Sequence, residues 1–209
     1  MKRHILELEF SIAGMLRFIS HLELQHFMAR LMLRAGLPVY FSQGFNPRPK
    51  ISLPVPRSVG ISSLDDRARI ELEGEISADQ AMEKIKPLLP FEMVINRVWI
   101  SESDSLQRAE AIEWEIDLSG CDTESIQEKI KEIERGPVLT TRQFKKTNKE
   151  YTIDLRPLIL EISFQNQTVR AKIAYTPQGS IKPGELLQLL GLPKPEFLPK
   201  MKRIKTYWN

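Results

Sequence analysis

Apolar and polar residues alternate cleanly near the start of the chain. Leu6, Leu8, Phe10 and Ile12 fall on one face and Glu7, Glu9 and Ser11 on the other, the period-two pattern of a half-buried strand. The period then changes. Ser20 and Glu23 have the spacing of a capping box, and Leu24, Phe27, Met28, Leu31 and Ala35 recur at helical intervals until Gly36-Leu37-Pro38 stops the run. A short strand is predicted at Val39-Tyr40-Phe41. After it comes a stretch from Ser42 to Ser63 whose Pro47, Pro49, Pro54 and Pro56 no helix interior would tolerate. Ala68, Ile70 and Leu72 alternate with charged neighbours as a third strand. Ser77 and Gln80 cap a helix reaching Leu89, and 91–100 reads as a fourth strand.

The second half repeats this order. Ile112, Trp114, Ile116 and Leu118 alternate with acidic residues as a strand. Asp122 is placed to cap a helix carrying Ile126, Ile130 and Ile133, closed by Gly136-Pro137. Residues 138–144 read as a strand and 145–151 as a basic turn. Residues 158–164 and 169–175 form a hairpin across Gln165-Asn166-Gln167. Pro183 suits the first turn of a helix ending at Gly191, and 201–208 is the last strand. Two copies of β-α-β-β-α-β, the second with an extra strand, predict an α+β protein of two tandem ferredoxin-like sandwiches with antiparallel sheets. Their expected bounds are 1–101 and 111–209, joined near 102–110. Each would pack its helices on one sheet face and leave the other free, as several RNA-binding folds do.

Composition narrows the class. The 42% hydrophobic and 27% charged content of these 209 residues is that of a globular protein. The lone Cys121 excludes a disulfide framework, a cysteine-built zinc site and a three-thiolate iron–sulfur site, and no cofactor is expected. No apolar run approaches the roughly 20 residues needed to cross a bilayer, and Met1-Lys2-Arg3-His4 leads into alternating Leu and Glu rather than a secretory segment. The expectation is a cytoplasmic protein without membrane contact. The net charge of +3 hides a gradient. Residues 1–101 carry +2, 102–134 carry −8 and 135–209 carry +9. A basic C-terminal segment suits a polyanion, and equally suits neutralisation by the acidic segment beside it.

Two segments are densest in polar chemistry. The first is Arg17-Phe18-Ile19-Ser20-His21-Leu22-Glu23, and the second runs from Ser42 through Gly44-Phe45-Asn46-Pro47-Arg48-Pro49-Lys50-Ile51 to Ser52. With Ser105-Leu106, Ile153-Asp154-Leu155-Arg156-Pro157 and Gly179-Ser180-Ile181-Lys182-Pro183, they make the chain resemble the bacterial radical-SAM-linked protein family, a domain of unknown function. It departs from that pattern at Arg48, where many relatives carry histidine. The resemblance implies company rather than chemistry: a radical SAM enzyme acting in trans, and RNA processing or ribosome maturation as the setting.

The residues themselves suit RNA. Phe45 offers a stacking face, Asn46 can pair with a base edge, and Arg48 and Lys50 can neutralise phosphates, while Pro47 and Pro49 stiffen the loop. Arg17, Lys145, Lys146 and Arg156 are further candidate phosphate contacts. His21, at the start of the first helix, is a candidate general base or phosphate ligand, and Asp154 beside Arg156 a candidate catalytic carboxylate. Each also has a structural reading: His21 as a packed, hydrogen-bonded side chain, and Asp154 as the cap of the turn holding Pro157. His26, Arg30 and Arg34 read as a solvated helix face. The expected function is a non-catalytic adaptor for tRNA or rRNA, not DNA, working with a radical SAM protein. The alternatives are an RNA-modifying or RNA-cleaving enzyme using His21 or Asp154, and a protein–protein module without RNA contact.

Overall fold

The computed structural model describes residues 4–102, 107–121, 123–143 and 150–209. The protein is a mixed α+β chain that divides into two compact units, 1–109 with 208–209, and 110–207.

In the first unit, β1 (His4–Ile12) lies between β4 (Met93–Glu102) and β3 (Ser62–Leu72), antiparallel to both. The two-residue strand β2 (Ile51–Ser52) pairs with β3. Leu6, Leu8, Phe10 and Ile12 point to one face, as the alternation predicts, and each is essentially inaccessible to water. Against them pack Leu24, Met28, Leu31 and Met32 of α1 (His21–Arg34) and Ala81 and Ile85 of α2 (Ala78–Ile85). Burying each such aliphatic side chain is worth about 1.5–3 kcal/mol, so this face holds the unit together.

Both helices start where the capping residues place them. Ser20 Oγ accepts from the Glu23 amide at 3.2 Å, and the Glu23 carboxylate accepts from the Ser20 amide at 2.7 Å. Hydrogen bonds from Ser20 hold the Glu23 carboxyl below its ordinary range. Ser77 and Gln80 repeat the arrangement at α2.

The strand expected at Val39–Phe41 is reduced to isolated bridges, from Val39 to Leu72 and from Phe41 to Pro49. Proline supplies no amide to a ladder, so pairing there does not propagate. The polar face of β1 is likewise not open throughout. Glu7 is only 2% exposed, with Arg69 buried opposite it on β3.

In the second unit, β5 (Ala109–Asp117) pairs antiparallel with β9 (Thr168–Ala174), and β9 with β8 (Ile159–Gln165). The final strand β10 (Met201–Trp208) neighbours β5. The β8–β9 turn uses two residues, Asn166 and Gln167, both with left-handed φ of 49° and 57°, which matches the twist of the strands it joins.

Helix α3 (Glu124–Arg135) buries Ile126, Ile130 and Ile133 as predicted. Its N-cap residue is Thr123, which makes no side-chain cap bond, and Asp122 lies outside the described residues. The extra element is a separate two-stranded sheet, β6 (Leu139–Gln143) with β7 (Glu150–Asp154), where the sequence suggests one strand and a basic turn. Helix α4 (Pro183–Leu189) is followed by a short α5 (Lys194–Phe197) that no periodicity announces. No helix among the described residues is long and apolar enough to cross a membrane.

Candidate functional site

The Arg17–Glu23 segment begins in a tight 3-10 turn, Gly14–Phe18, and continues into α1. Arg57 holds this turn in place from the far side of the proline-rich stretch. Its Nη1 donates to the carbonyl oxygens of Arg17 at 2.8 Å and Ile61 at 2.6 Å, and its Nη2 to that of Leu16 at 3.4 Å. Its Nε lies 3.6 Å from Asp66, and both side chains are buried. Carbonyls facing away from solvent need donors, and a fork of five N–H groups serves several at once.

His21 is half-buried and borders a cavity of about 10 Å3 together with Arg57, Asp66, Phe10, Leu24 and Leu53. That is room for about one water molecule. From the next turn of α1, Gln25 donates to the Ile51 carbonyl at 2.8 Å. The two motifs singled out in the sequence therefore meet in the fold, through His21, Gln25 and the 51–57 segment. Arg17 is half-buried, with its guanidinium 4.8 Å from the centre of the exposed Phe18 ring.

The other motif projects outward. The Ser42 amide donates to the Arg48 carbonyl at 2.8 Å, and the Arg48 amide returns a bond to Ser42 Oγ at 3.0 Å. Below this closure the Lys50 amide binds the Tyr40 carbonyl, and the Lys50 carbonyl accepts from Glu71. Gly44, at φ 136° with nothing within 4 Å of a Cβ position, takes a backbone conformation that side-chain-bearing residues rarely adopt. Phe45 stands fully in solvent, and Asn46, Arg48 and Lys50 are exposed. An apolar ring held in water by a closed loop is not a core residue.

The remaining predicted residues lie in the second unit. Asp154 Oδ1 accepts from the amides of Val138 at 2.7 Å and Arg156 at 3.0 Å, so its carboxylate caps the entrance to the 3-10 turn Arg156–Leu158 that holds Pro157. The Arg156 guanidinium donates to the Ile159 carbonyl at 2.9 Å. Asp154→Ala is expected to lower stability by about 0.5–2 kcal/mol, as for other lost caps. Thermal denaturation checks this. Unchanged stability would mean that the two amide bonds contribute nothing.

The Gly179–Pro183 segment is anchored by Arg142, which forks onto Glu185 with two bonds of 2.8 Å and also reaches the Ser180 carbonyl at 2.9 Å. Lys145 and Lys146 lie outside the described residues. His26, Arg30 and Arg34 are exposed on α1. No group of three His, Cys, Asp or Glu among the described residues has the placement to hold a metal ion.

A second polar cluster went unnoticed in the sequence. On the face of the first unit's sheet away from the helices, Glu7 accepts from Ser101 Oγ at 2.9 Å and lies 3.3 Å from Arg69 and 3.8 Å from Arg67. Arg67 is stacked between aromatic neighbours, 4.0 Å from the Trp208 ring centre and 5.0 Å from that of Trp99. Burial pulls its guanidinium below the ordinary value, against the opposing attraction of Glu7. Arg97 sits 4.8 Å from the same Trp99 ring. The register pairs that place Glu7 between Arg69 and Trp99 follow from strand pairing, which no single segment of sequence displays.

Residues 6–183 match the profile of a family described as an uncharacterized protein conserved in bacteria (DUF2344). The match covers most of the chain and takes in all the motifs quoted above, so the chain belongs to that family. No curated protein matches it.

Proposed function

We propose that this protein is a non-catalytic RNA-binding adaptor, presenting tRNA or rRNA to a radical SAM enzyme in the bacterial cytoplasm. The observation that carries the reading is the closed Ser42–Arg48 loop, which holds Phe45 in water with Asn46, Arg48 and Lys50 exposed around it. A solvent-held aromatic flanked by cations is how single strands are engaged: the ring stacks on a base while the cations meet phosphates. The radical SAM partner rests on the sequence resemblance alone. Support for two ferredoxin-like sandwiches comes from strand order. In the first unit the neighbours run β4-β1-β3, with the two-residue β2 paired to β3 off the main order, and in the second they run β10-β5-β9-β8, with the β6–β7 hairpin as a separate sheet.

A second reading, an RNA-modifying or RNA-cleaving enzyme, draws on His21 bordering the same small cavity as Asp66 and Arg57. A general base needs an orienting partner and a dry site, and this cavity has room for neither a base nor a phosphate. The adaptor reading is therefore preferred.

Titration of fluorescent RNA tests it. Phe45→Ala is expected to weaken binding by about 1–3 kcal/mol, with the melting temperature unchanged because the ring packs on nothing. Arg48→Ala with Lys50→Ala is expected to flatten the log–log salt dependence by about 0.7 per lost contact on single strands. Wild-type affinity and slope in both variants would remove the loop from the function. Mass spectrometry of RNA incubated with the protein alone separates the readings. The adaptor leaves the RNA mass unchanged, whereas a new mass or a cleavage lost in His21→Ala establishes the enzyme.

A further inference from the structure

Four side chains on the helix-free face of the first unit's sheet follow one another as alternating aromatic and cation: Trp208, Arg67, Trp99 and Arg97, with separations of 4.0, 5.0 and 4.8 Å. The inner members are held firmly. Arg67 is largely buried beside Glu7, and it donates to Gln107 at 2.7 Å. The outer member is exposed. Among the described residues the Arg97 guanidinium has no ion pair and no hydrogen bond, only the Trp99 ring. Glu9 is its register partner on β1, yet makes no ion pair with it.

A shift in the β1–β4 register between Glu9 and Phe10 sets the placement. Bulges of this kind re-aim a side chain, and the extra residue, Asn96, ties the strand to the Leu64 carbonyl at 2.9 Å. A surface arginine normally pays for order with rotamer freedom and pairs with a carboxylate. Here the guanidinium lies over the Trp99 ring instead, with no carboxylate in ion-pair distance among the described residues.

We propose that Arg97 is a stacking platform for an unpaired base of single-stranded RNA, a second contact apart from the Phe45 loop. This rests on the RNA-binding reading and adds to it a substrate preference for unpaired strands. A guanidinium plane offers its face to a nucleobase and its N–H edges to the adjoining phosphate. Bases inside a duplex are stacked on each other and have no face to give.

The discriminating variant is Arg97→Lys, which keeps the charge and loses the plane. The probe is a single-stranded RNA of about ten nucleotides, within the usual footprint of such sites, with a duplex of equal length as comparison. Arg97→Lys is expected to weaken single-strand binding by about five- to 150-fold, the range for one lost base stack, while the salt slope and melting temperature stay at wild-type values. Affinity for the duplex is expected to stay the same in wild type and variant. Arg97→Lys binding the single strand like wild type overturns the platform. If Phe45→Ala still weakens binding in that case, the RNA-binding reading stands without Arg97. Failure of the wild-type protein to bind either RNA overturns both.

Discussion

Arg57→Ala is expected to destabilise the first unit by about 3–5 kcal/mol, the range for removing one partner of a buried ion pair. The size follows from what the guanidinium does. It neutralises Asp66, which is 4% exposed on the core face of β3, and it serves the carbonyls of Leu16, Arg17 and Ile61. Alanine takes away the charge beside a buried carboxylate and one donor from each of the Leu16, Arg17 and Ile61 carbonyls together. The 3-10 turn carrying Arg17 and Phe18 would lose its main tether, so RNA binding should fall with stability. Urea denaturation followed by indole emission gives the measurement. In a Trp114→Phe background the remaining Trp99 and Trp208 both belong to the first unit, so the signal reports that unit alone. Arg57→Ala combined with Asp66→Ala should cost less than the two singles added, because removing both charges leaves neither stranded. A loss under about 1 kcal/mol in the single variant would place the pair with ordinary surface bridges instead.

Glu7→Ala is expected to cost a similar 3–5 kcal/mol, roughly, in the same assay. Glu7 is the only acidic side chain within ion-pair distance of Arg67 among the described residues, and it meets Arg69 at 3.3 Å as well. Without it Arg67 and Arg69 both lose the carboxylate that lies between them and β4. Glu7→Gln keeps an acceptor for Ser101 Oγ and should be milder than Glu7→Ala. Among the described residues, one carboxylate oxygen of Glu7 and the Trp208 indole N–H are buried with no hydrogen-bond partner. Of the two arginines, Arg67 lies over the Trp208 and Trp99 rings, whereas Arg69 is buried beside Glu7. Equal stability of Glu7→Ala and wild type would contradict that account.

Much of the fold was legible because it rests on local repetition. The β1 alternation, the Ser20–Glu23 and Ser77–Gln80 capping boxes and the Ile126–Ile130–Ile133 stripe are each contained within one element, and each is found where the pattern predicts. The failures share the opposite property. Val39–Phe41 has strand composition, but Pro49, which faces Phe41, cannot continue a ladder. The β7 strand, Glu150–Asp154, offers only Tyr151 and Ile153 as alternating apolar positions, too short a run to stand out beside the basic residues before it, and its pairing with β6 comes from chain geometry. Asp154 suits the cap of a turn better than catalysis by its sequence context. The partners it binds, the Val138 and Arg156 amides, are visible only in the fold.

By itself the sequence determined the α+β class, the core face of each main strand and both capped helices of the first unit. These depend on side-chain periodicity and short motifs, which are properties of neighbours in the chain. Tertiary structure alone decided which polar residues are buried. Glu7 belongs to the polar face of β1 by alternation, yet it is inaccessible because Arg67, Arg69 and Ser101 arrive from β3 and β4. Arg57 reads as one more loop cation until the 3-10 turn is brought against it, and Phe45 reads as core or surface until the Ser42–Arg48 closure holds it in water. The cost of burying a charge depends on partners far away in sequence, and the pattern along one segment carries no record of them.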